Sequence, residues 1–454
     1  MPKPILLPPG AKRMMESMRD VGYDLPTSIA DLVDNSIEAG ATMVEIDFVY
    51  NEGDTYVRIF DNGIGMSNFQ ILEALRYGTR RQYVANSLGK FGFGLKTASL
   101  SHCRKLYVAS KQSKSLSIMM WDMDHVEIED KWEALELSPK EVDPQLLVKL
   151  KPTSSGTSVM WKELDRVSTG SIDKETFISM CRFVEEHLSV VFHRFLEQKA
   201  RRKLPLKILI NGNEILPWDP FAITELETRA LPGTEIKYQY RDKSLKAVIQ
   251  PYILPPEQLF SSKAAHARAA GPKKWNRAQG FYIYRNDRII QNGGWNRLRS
   301  SDEHTKLARI AIDFVSEADE SFKIDIAKMA VQIPRQIRTE LAKFSATITS
   351  VANAIYRAKL DPSKPNTPVK SKITTLKANL DPYISKAQVA TDKISDSTST
   401  IKPSEHNSII EGDDLVNSVI TILKRELADQ PELLNQIIIY ISEVRPDLKI
   451  TLGG

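Results

Sequence analysis

Cysteine is almost missing from this 454-residue chain, which holds only Cys103 and Cys181. Two cysteines make neither a disulfide framework nor a four-ligand zinc module, and both lie in stretches that read as packed. Zinc and redox chemistry are therefore not expected. Long apolar runs are missing too. Nothing approaches the roughly 20 residues that a membrane span needs. The opening MPKPILLPPGAKR is too short in its apolar part and too rich in proline for a signal peptide. A cytoplasmic protein with no membrane partner is the expectation. No internal repeat is visible, and the net charge of +5 is modest. Acid is nevertheless absent from residues 261–280, SSKAAHARAAGPKKWNRAQG, which carry Lys263, Arg268, Lys273, Lys274 and Arg277. Two readings fit that segment: a solvated flexible loop, or a basic loop that tracks the phosphates of double-stranded DNA.

What is present is an ordinary globular composition, 42% hydrophobic and 26% charged, long enough for two or three cores. Through DLVDNSIEAGAT, residues 31–42, and just ahead of it, the apolar Ile29, Val33 and Ile37 recur every four residues and Gly40 stands at the C-cap position, predicting a half-buried helix. Asp31 and Asn35 share another face of it. Such a pair can cap a neighbouring segment, bind water or bind a ligand. Asp34 is turned away by about 100° and Glu38 lies a turn further along.

MVEIDFVY and TYVRIFDNG, joined by NEGD, read as a hairpin, and later strands are expected at KLYVAS, SLSIMMW and TSVMWKEL. The simplest assembly is an α+β layer, a mainly antiparallel sheet with helices on one face. FISMCRFVEEHLSVVFHRFLEQ reads as a long amphipathic helix closing a first domain. A second, α/β domain follows, with strands at LKILINGNEI, KAVIQPYIL, GFYIYRNDRII and ARIAIDF and a helix at PRQIRTELAKFSATITSVANAIYRA. The polar, Pro- and Ser-rich stretch 361–408 reads as linker. Residues 409–454 read as a helical tail, whose apolar surface has three candidate partners: its own body, a second copy or a different protein.

Two glycine patterns carry chemistry. In DNGIGM, Asp61 to Met66, a carboxylate at a strand end can accept the exocyclic amine of a purine, while Gly63 and Gly65 leave room for the ring. The same pattern is also a common turn. In SLGKFGFGLKTASLS, Gly89, Gly92 and Gly94 allow a nest of backbone N–H groups before a helix, suited to a polyphosphate, though such a triplet also makes a plain flexible turn.

The acid-and-amide helix, the Asp-x-Gly-x-Gly turn, the glycine loop and then SGTSVMW with Gly156 and Thr157 resemble, in this order and spacing, the GHKL ATPase superfamily. DNSIEAGAT is most similar to MutL, and GKFGFGLKTAS to the MORC ATPases. The resemblance covers residues 15–165 well and continues weakly through FKIDIAKMAVQIP. It implies a Bergerat ATP-binding sandwich over 1–200, an S5-like transducer domain over 201–360, the linker 361–408 and the tail 409–454. It further implies ATP and Mg2+ as cofactors. Asn35 would be the magnesium ligand, Asp31 the general base and Lys328 the residue reaching the terminal phosphate. Asp61 would hold adenine, with Gly63, Gly65, Met66 and Thr157 beside it, and Gly89, Lys90, Phe91, Gly92, Phe93 and Gly94 would wrap the phosphates. Residues 67–91 would form a lid in which Arg80 and Arg81 face phosphate or water, and its closure would accompany ATP-dependent homodimerisation.

One departure is Asp31, where most of the superfamily has glutamate. The shorter side chain draws the carboxylate back by on the order of 1.5 Å, so slow turnover is expected. Among the branches, a histidine kinase would need a phosphoacceptor helix ahead of Asp31, a topoisomerase a cleavage region, and a MutL-type nuclease a metal-site domain; eukaryotic MORC proteins usually add a zinc module. The expectation is an ATPase and transducer acting beside a separately encoded nuclease or other effector, the switch subunit of a prokaryotic DNA restriction or anti-phage defence system. The alternative is a nucleotide-dependent chaperone or scaffold with little hydrolysis.

Overall fold

The computed structural model describes residues 2, 5, 7 and 9–358, apart from 21, 52, 78–87, 89–93, 168–172, 203, 325–327 and 329–330. The linker and tail expected beyond residue 360 lie outside the described residues, as does most of the lid segment with Arg80 and Arg81.

The first part of the chain builds an eight-stranded sheet, which also takes in LKILINGNEI: the strand expected to open the second domain after residue 200 instead pairs in parallel with the edge of the first sheet, satisfying its backbone there. Its strands are β1 Met43–Val49, β2 Tyr56–Asp61, β3 Lys105–Gln112, β4 Ser115–Asp122, β5 Leu135–Glu136, β6 Gly156–Lys162, β7 Lys207–Ile210 and β8 Asn213–Glu214, in the order β5-β4-β3-β6-β2-β1-β7-β8. All pairings are antiparallel except β1 with β7. Helices α1 Ala11–Arg19, α2 Leu25–Glu38, α3 Asn68–Leu75, α4 Met123–Glu129, α5 Pro144–Leu147, α6 Lys174–Val191 and α7 His193–Leu196 accompany it. The α+β class expected from the alternating strands is the class observed.

Alternation along the strands sends Val57, Ile59, Val108, Val159 and Trp161 into a core with Ile29, Val33 and Ile37 of α2 and Val184 and Leu188 of α6. Tyr56, Phe60, Ile118 and Met160 point to the opposite face, where Leu146 and Leu147 of α5 cover them. Helices were expected on one face alone; this smaller second cover explains why every residue of β2 is buried. Near the strand centre, Arg58 on that second face pairs with Asp47 at 2.6 Å. The single long helix read over residues 177–198 is broken at Phe192 into α6 and α7.

A second sheet contains β9 Arg229–Ala230, β10 Thr234–Tyr240, β11 Lys243–Ile253, β12 Gly280–Arg285, β13 Arg288–Asn292 and β14 Ala308–Phe314. Its order is β10-β11-β14-β12-β13, with β9 beside β11. Helix α10, Arg335–Ala358, packs Ile337, Leu341, Ile348 and Val351 on it through a separate core. The stretch read as one strand, GFYIYRNDRII, is a hairpin. Asn286 and Asp287 turn the chain with φ of 48° and 70°, the two positive values that a two-residue hairpin loop requires.

The basic segment folds rather than loops. Ser262 caps α8, Lys263–Ala270, by accepting from the Ala265 N–H, and Lys274–Ala278 forms α9. Beneath them the buried Arg309 of β14 donates to the carbonyls of Pro220 and, at 2.7 Å, Ala269, while its guanidinium lies 5.6 Å from the Trp218 ring and 5.3 Å from that of Trp275. No helix among the described residues is long and apolar enough to cross a membrane.

Candidate active site

Helix α2 presents the site. Asp24 caps it by accepting from the Thr27 N–H at 2.8 Å, Pro26 preorganises its first turn, and Gly40 leaves it with φ of +72°. Within α2 every residue is buried or half-buried except Asn35, whose amide faces out from an otherwise covered helix. Asp31 and Asp34 are only 2% and 1% exposed.

Around Asp31 four groups converge. Tyr23 donates its hydroxyl to Oδ2 at 3.2 Å, and Lys328 donates Nζ to Oδ1 at 3.2 Å from 297 residues away. Lys328 also donates to Asp34 Oδ2 at 2.6 Å. Arg288, the first residue after the β12–β13 hairpin turn, donates Nε to Asp34 at 3.0 Å and brings Nη2 within 3.7 Å of Asp31. Burial raises the Asp31 pKa above the ordinary carboxylate value, against the opposing pull of Lys328 and Arg288. Gly94 presses close: a Cβ built on it would stand 3.3 Å from Asp31 Oδ2. It opens a π-helical turn, Gly94–Ala98, in place of the regular helix start expected there. Lys96 in that turn is buried and donates to the carbonyls of Ala74 and Arg76 at the end of α3, and burial lowers its pKa to about 8.

Asp61 forms the other pole. The end of β2 places it opposite Thr157 of β6. Its Oδ1 accepts from the Gly63 N–H at 2.9 Å and its Oδ2 from Ser36 of α2 at 3.1 Å. Burial raises its pKa to about 6, against those donors. Thr157 shares a 3.0 Å hydroxyl bond with Ser110 of β3, which in turn accepts from the Met66 N–H at 2.8 Å. The glycines of DNGIGM answer to the protein itself. A Cβ on Gly65, at φ +69°, would fall 2.0 Å from the Lys111 carbonyl, and one on Gly63 would strike Ala39.

Asp31, Asn35, Asp61, Gly63, Gly65, Met66, Gly94, Thr157 and Lys328 thus surround α2 and the end of β2. Gly89, Lys90, Phe91, Gly92 and Phe93 lie outside the described residues. Arg268 and Lys273 are occupied locally, donating to Pro217 O at 2.9 Å and Asn292 O at 2.8 Å, whereas Lys263, Lys274 and Arg277 stand exposed. Arg288, Asp34, Ser36, Tyr23 and Ser110 were not anticipated. Only Arg288 had a local signal, the Asn-Asp turn that makes its strand a hairpin.

A nucleotide with Mg2+ fits these groups. A hard cation that keeps several waters and phosphate oxygens needs few protein ligands, and Asn35 offers one exposed amide oxygen. The ionised Asp61, with its lone pairs only partly used, accepts an exocyclic amine. Buried carboxylate and ammonium at Asp31 and Lys328 suit a base beside a phosphate clamp.

Residues 23–157 match the family of histidine kinase-, DNA gyrase B- and HSP90-like ATPases. Among curated proteins, the ATPase morc-1 of Caenorhabditis elegans is 28% identical over 94 residues, 21% of this chain and 11% of that protein. The DNA mismatch repair protein MutL of Shewanella frigidimarina is 35% identical over 115 residues, 24% and 18% of the two chains. The mismatch repair protein PMS1 of Arabidopsis thaliana is 32% identical over 80 residues, 17% and 9%. The matched segments span less than a fifth of each of these relatives.

Proposed function

We propose that this chain, which carries a GHKL ATPase domain with relatives among the MutL and MORC proteins, is a slow Mg2+-dependent ATPase whose second sheet senses the nucleotide. The observation that supports this most directly is Lys328 reaching Asp31 and Asp34 from the second sheet's side of the molecule. A lysine so placed can exchange a carboxylate partner for a terminal phosphate, which links the bound nucleotide to the segment that carries it.

In this reading Asp61 and Thr157 would hold adenine and Asn35 would hold the metal, which would supply positive charge to the phosphates. Tyr23 orients the Asp31 carboxylate through Oδ2. Transfer of Lys328 to phosphate would release Oδ1, and Asp31 would then accept a proton from the water whose oxygen bonds to the terminal phosphorus as the bond to the ADP oxygen breaks, burial having made it a stronger base than an exposed aspartate. The second sheet with α10, residues 229–358, acts as the transducer, the strands at 207–214 belonging to the first sheet, and ATP-dependent pairing of two copies gates the assembly. We further assign Lys263, Lys274 and Arg277 to a phosphate-contacting face, and a defence role alongside a separate effector as the biological setting.

Steady-state hydrolysis by the full chain, with and without double-stranded DNA and beside Asn35→Ala, tests the reading. Turnover that needs Mg2+ and disappears in the variant is expected, with stimulation by DNA. Nucleotide binding without any turnover would favour the scaffold alternative, and light scattering that finds a monomer with saturating non-hydrolysable ATP would remove the gated dimer.

A further inference from the structure

Four buried charges meet between the two sheets: Asp31 and Asp34 from α2, Arg288 from β13 and Lys328 from the segment after β14. Arg288 is 1% exposed and spans 254 residues of sequence to reach Asp34. Its Nη1 also lies 3.5 Å from the carbonyl of Lys328, a residue held at φ +52°. Among the described residues, Tyr23 on Asp31 and, from α6, His187 are further polar groups facing the cluster. The Phe192 ring lies 5.9 Å from the guanidinium.

We propose that Arg288 and Asp34 are a positioning pair for the phosphate chemistry: Arg288 fixes Asp34, and the balanced pair keeps Lys328 exchangeable between Asp31 and an incoming terminal phosphate. The second sheet and the segment that follows its strand β14 thereby supply one cation each to the site. This rests on the ATPase reading. The geometry carries it through the unequal sharing of Lys328, which is 2.6 Å from Asp34 and 3.2 Å from Asp31. Asp34 already faces Arg288, so its hold on Lys328 is diluted. Without Arg288 the two carboxylates would compete for one ammonium, and the cluster would turn net negative against a polyphosphate. Without the Asp34 charge, two cations would fall on Asp31, attracting phosphate while neutralising the base.

Opposite signs follow for binding and the same sign for turnover. Equilibrium titration of the full chain with N-methylanthraniloyl-ATP is expected to show affinity falling on the order of tenfold in Arg288→Met. In Asp34→Asn it should rise by a similar factor, the scale of one charge acting over about 10 Å at an effective dielectric of about 20. The turnover number drops in both. In the double variant, again neutral, affinity returns to within about threefold of wild type while turnover stays low, because Lys328 has lost its fixed partner; this variant also serves where a single one does not fold. A pair that merely ties the sheets together would weaken binding in both single variants and restore turnover in the double, and either result overturns the proposal. If the variants show these affinity shifts but the wild type never hydrolyses, the hydrolysis reading falls and the pair's control of phosphate binding stands, whereas wild type that does not bind nucleotide sinks both.

Discussion

Replacing Asp61 by Asn should stabilise the protein and disarm it at once. Burial lifts the Asp61 pKa from 3.8 to about 6, so the folded state holds this proton more tightly than the unfolded chain does. The sign follows from linkage: such a group contributes its stability below pH 3.8 and loses it as pH rises through about 6. Above that window the buried charge costs on the order of 3 kcal/mol relative to acid conditions, at about 1.36 kcal/mol for each tenfold in proton affinity. An amide of the same shape carries no such cost and still pairs with Ser36 and Gly63. Asp61→Asn is therefore expected to unfold at higher urea than wild type at pH 8, with the advantage shrinking at pH 5 and vanishing below pH 4. The same variant would turn an N–H toward the adenine amine. Losing a hydrogen bond to a charged acceptor, about 1.5–3 kcal/mol, weakens nucleotide binding by on the order of 10- to 150-fold. Urea unfolding at the three pH values and calorimetric titration with ATP check both halves. A variant that is less stable at pH 8 and binds ATP as wild type does would refute the reasoning.

Three further outcomes follow from the geometry. Lys328→Ala leaves Asp31 and Asp34 with Arg288 as the one cation described beside them; it should spare ATP affinity more than turnover and lower stability by about 3 kcal/mol or more, and equal losses of affinity and turnover would mean the lysine does not act on the terminal phosphate. Gly94→Ala places a methyl group 3.3 Å from Asp31 Oδ2, so the carboxylate must give by a few tenths of an ångström, and turnover should fall by about threefold to tenfold, less than the roughly 10²-fold of a 1 Å misplacement; unaltered single-turnover kinetics would contradict this. Changing Lys263, Lys274 and Arg277 together to Gln should flatten the salt dependence of DNA binding, by about 0.9 in log–log slope for each phosphate no longer neutralised; an unchanged slope would take these residues off the DNA path.

The local half of this site was legible in the sequence, and the long-range half was not. Alternation fixed the faces of β1 and β2, and so the position of Asp61 at a strand end, while four-residue periodicity set Asp31 and Asn35 on α2. Asp34 looked idle because helical phase describes one helix and says nothing of what approaches from 254 residues away. Its partner Arg288 was hidden inside a run of β-formers, although Asn286–Asp287 was available as a turn signal. The basic segment read as a loop because its charge drew notice, yet Ser262 followed by an alanine-rich octet is a capped helix. Gly65 has the residue type expected of a ligand cradle, but its need for glycine comes from the Lys111 carbonyl 2.0 Å from where its Cβ would be.

Arg309, gripped by aromatic rings and holding two carbonyls, changes what the cationic segment above it has to spend in an encounter. A basic loop must surrender its disorder when it meets a polyanion, and that ordering opposes binding at about 0.5–1.5 kcal/mol for each immobilised side chain, with more for the backbone. Here the backbone of residues 263–278 is ordered beforehand in α8 and α9, so only the outer side chains of Lys263, Lys274 and Arg277 have freedom to lose. A surface of this kind selects by shape as well as by charge: it meets a partner whose phosphates already match its spacing and gains nothing by wrapping around one that does not.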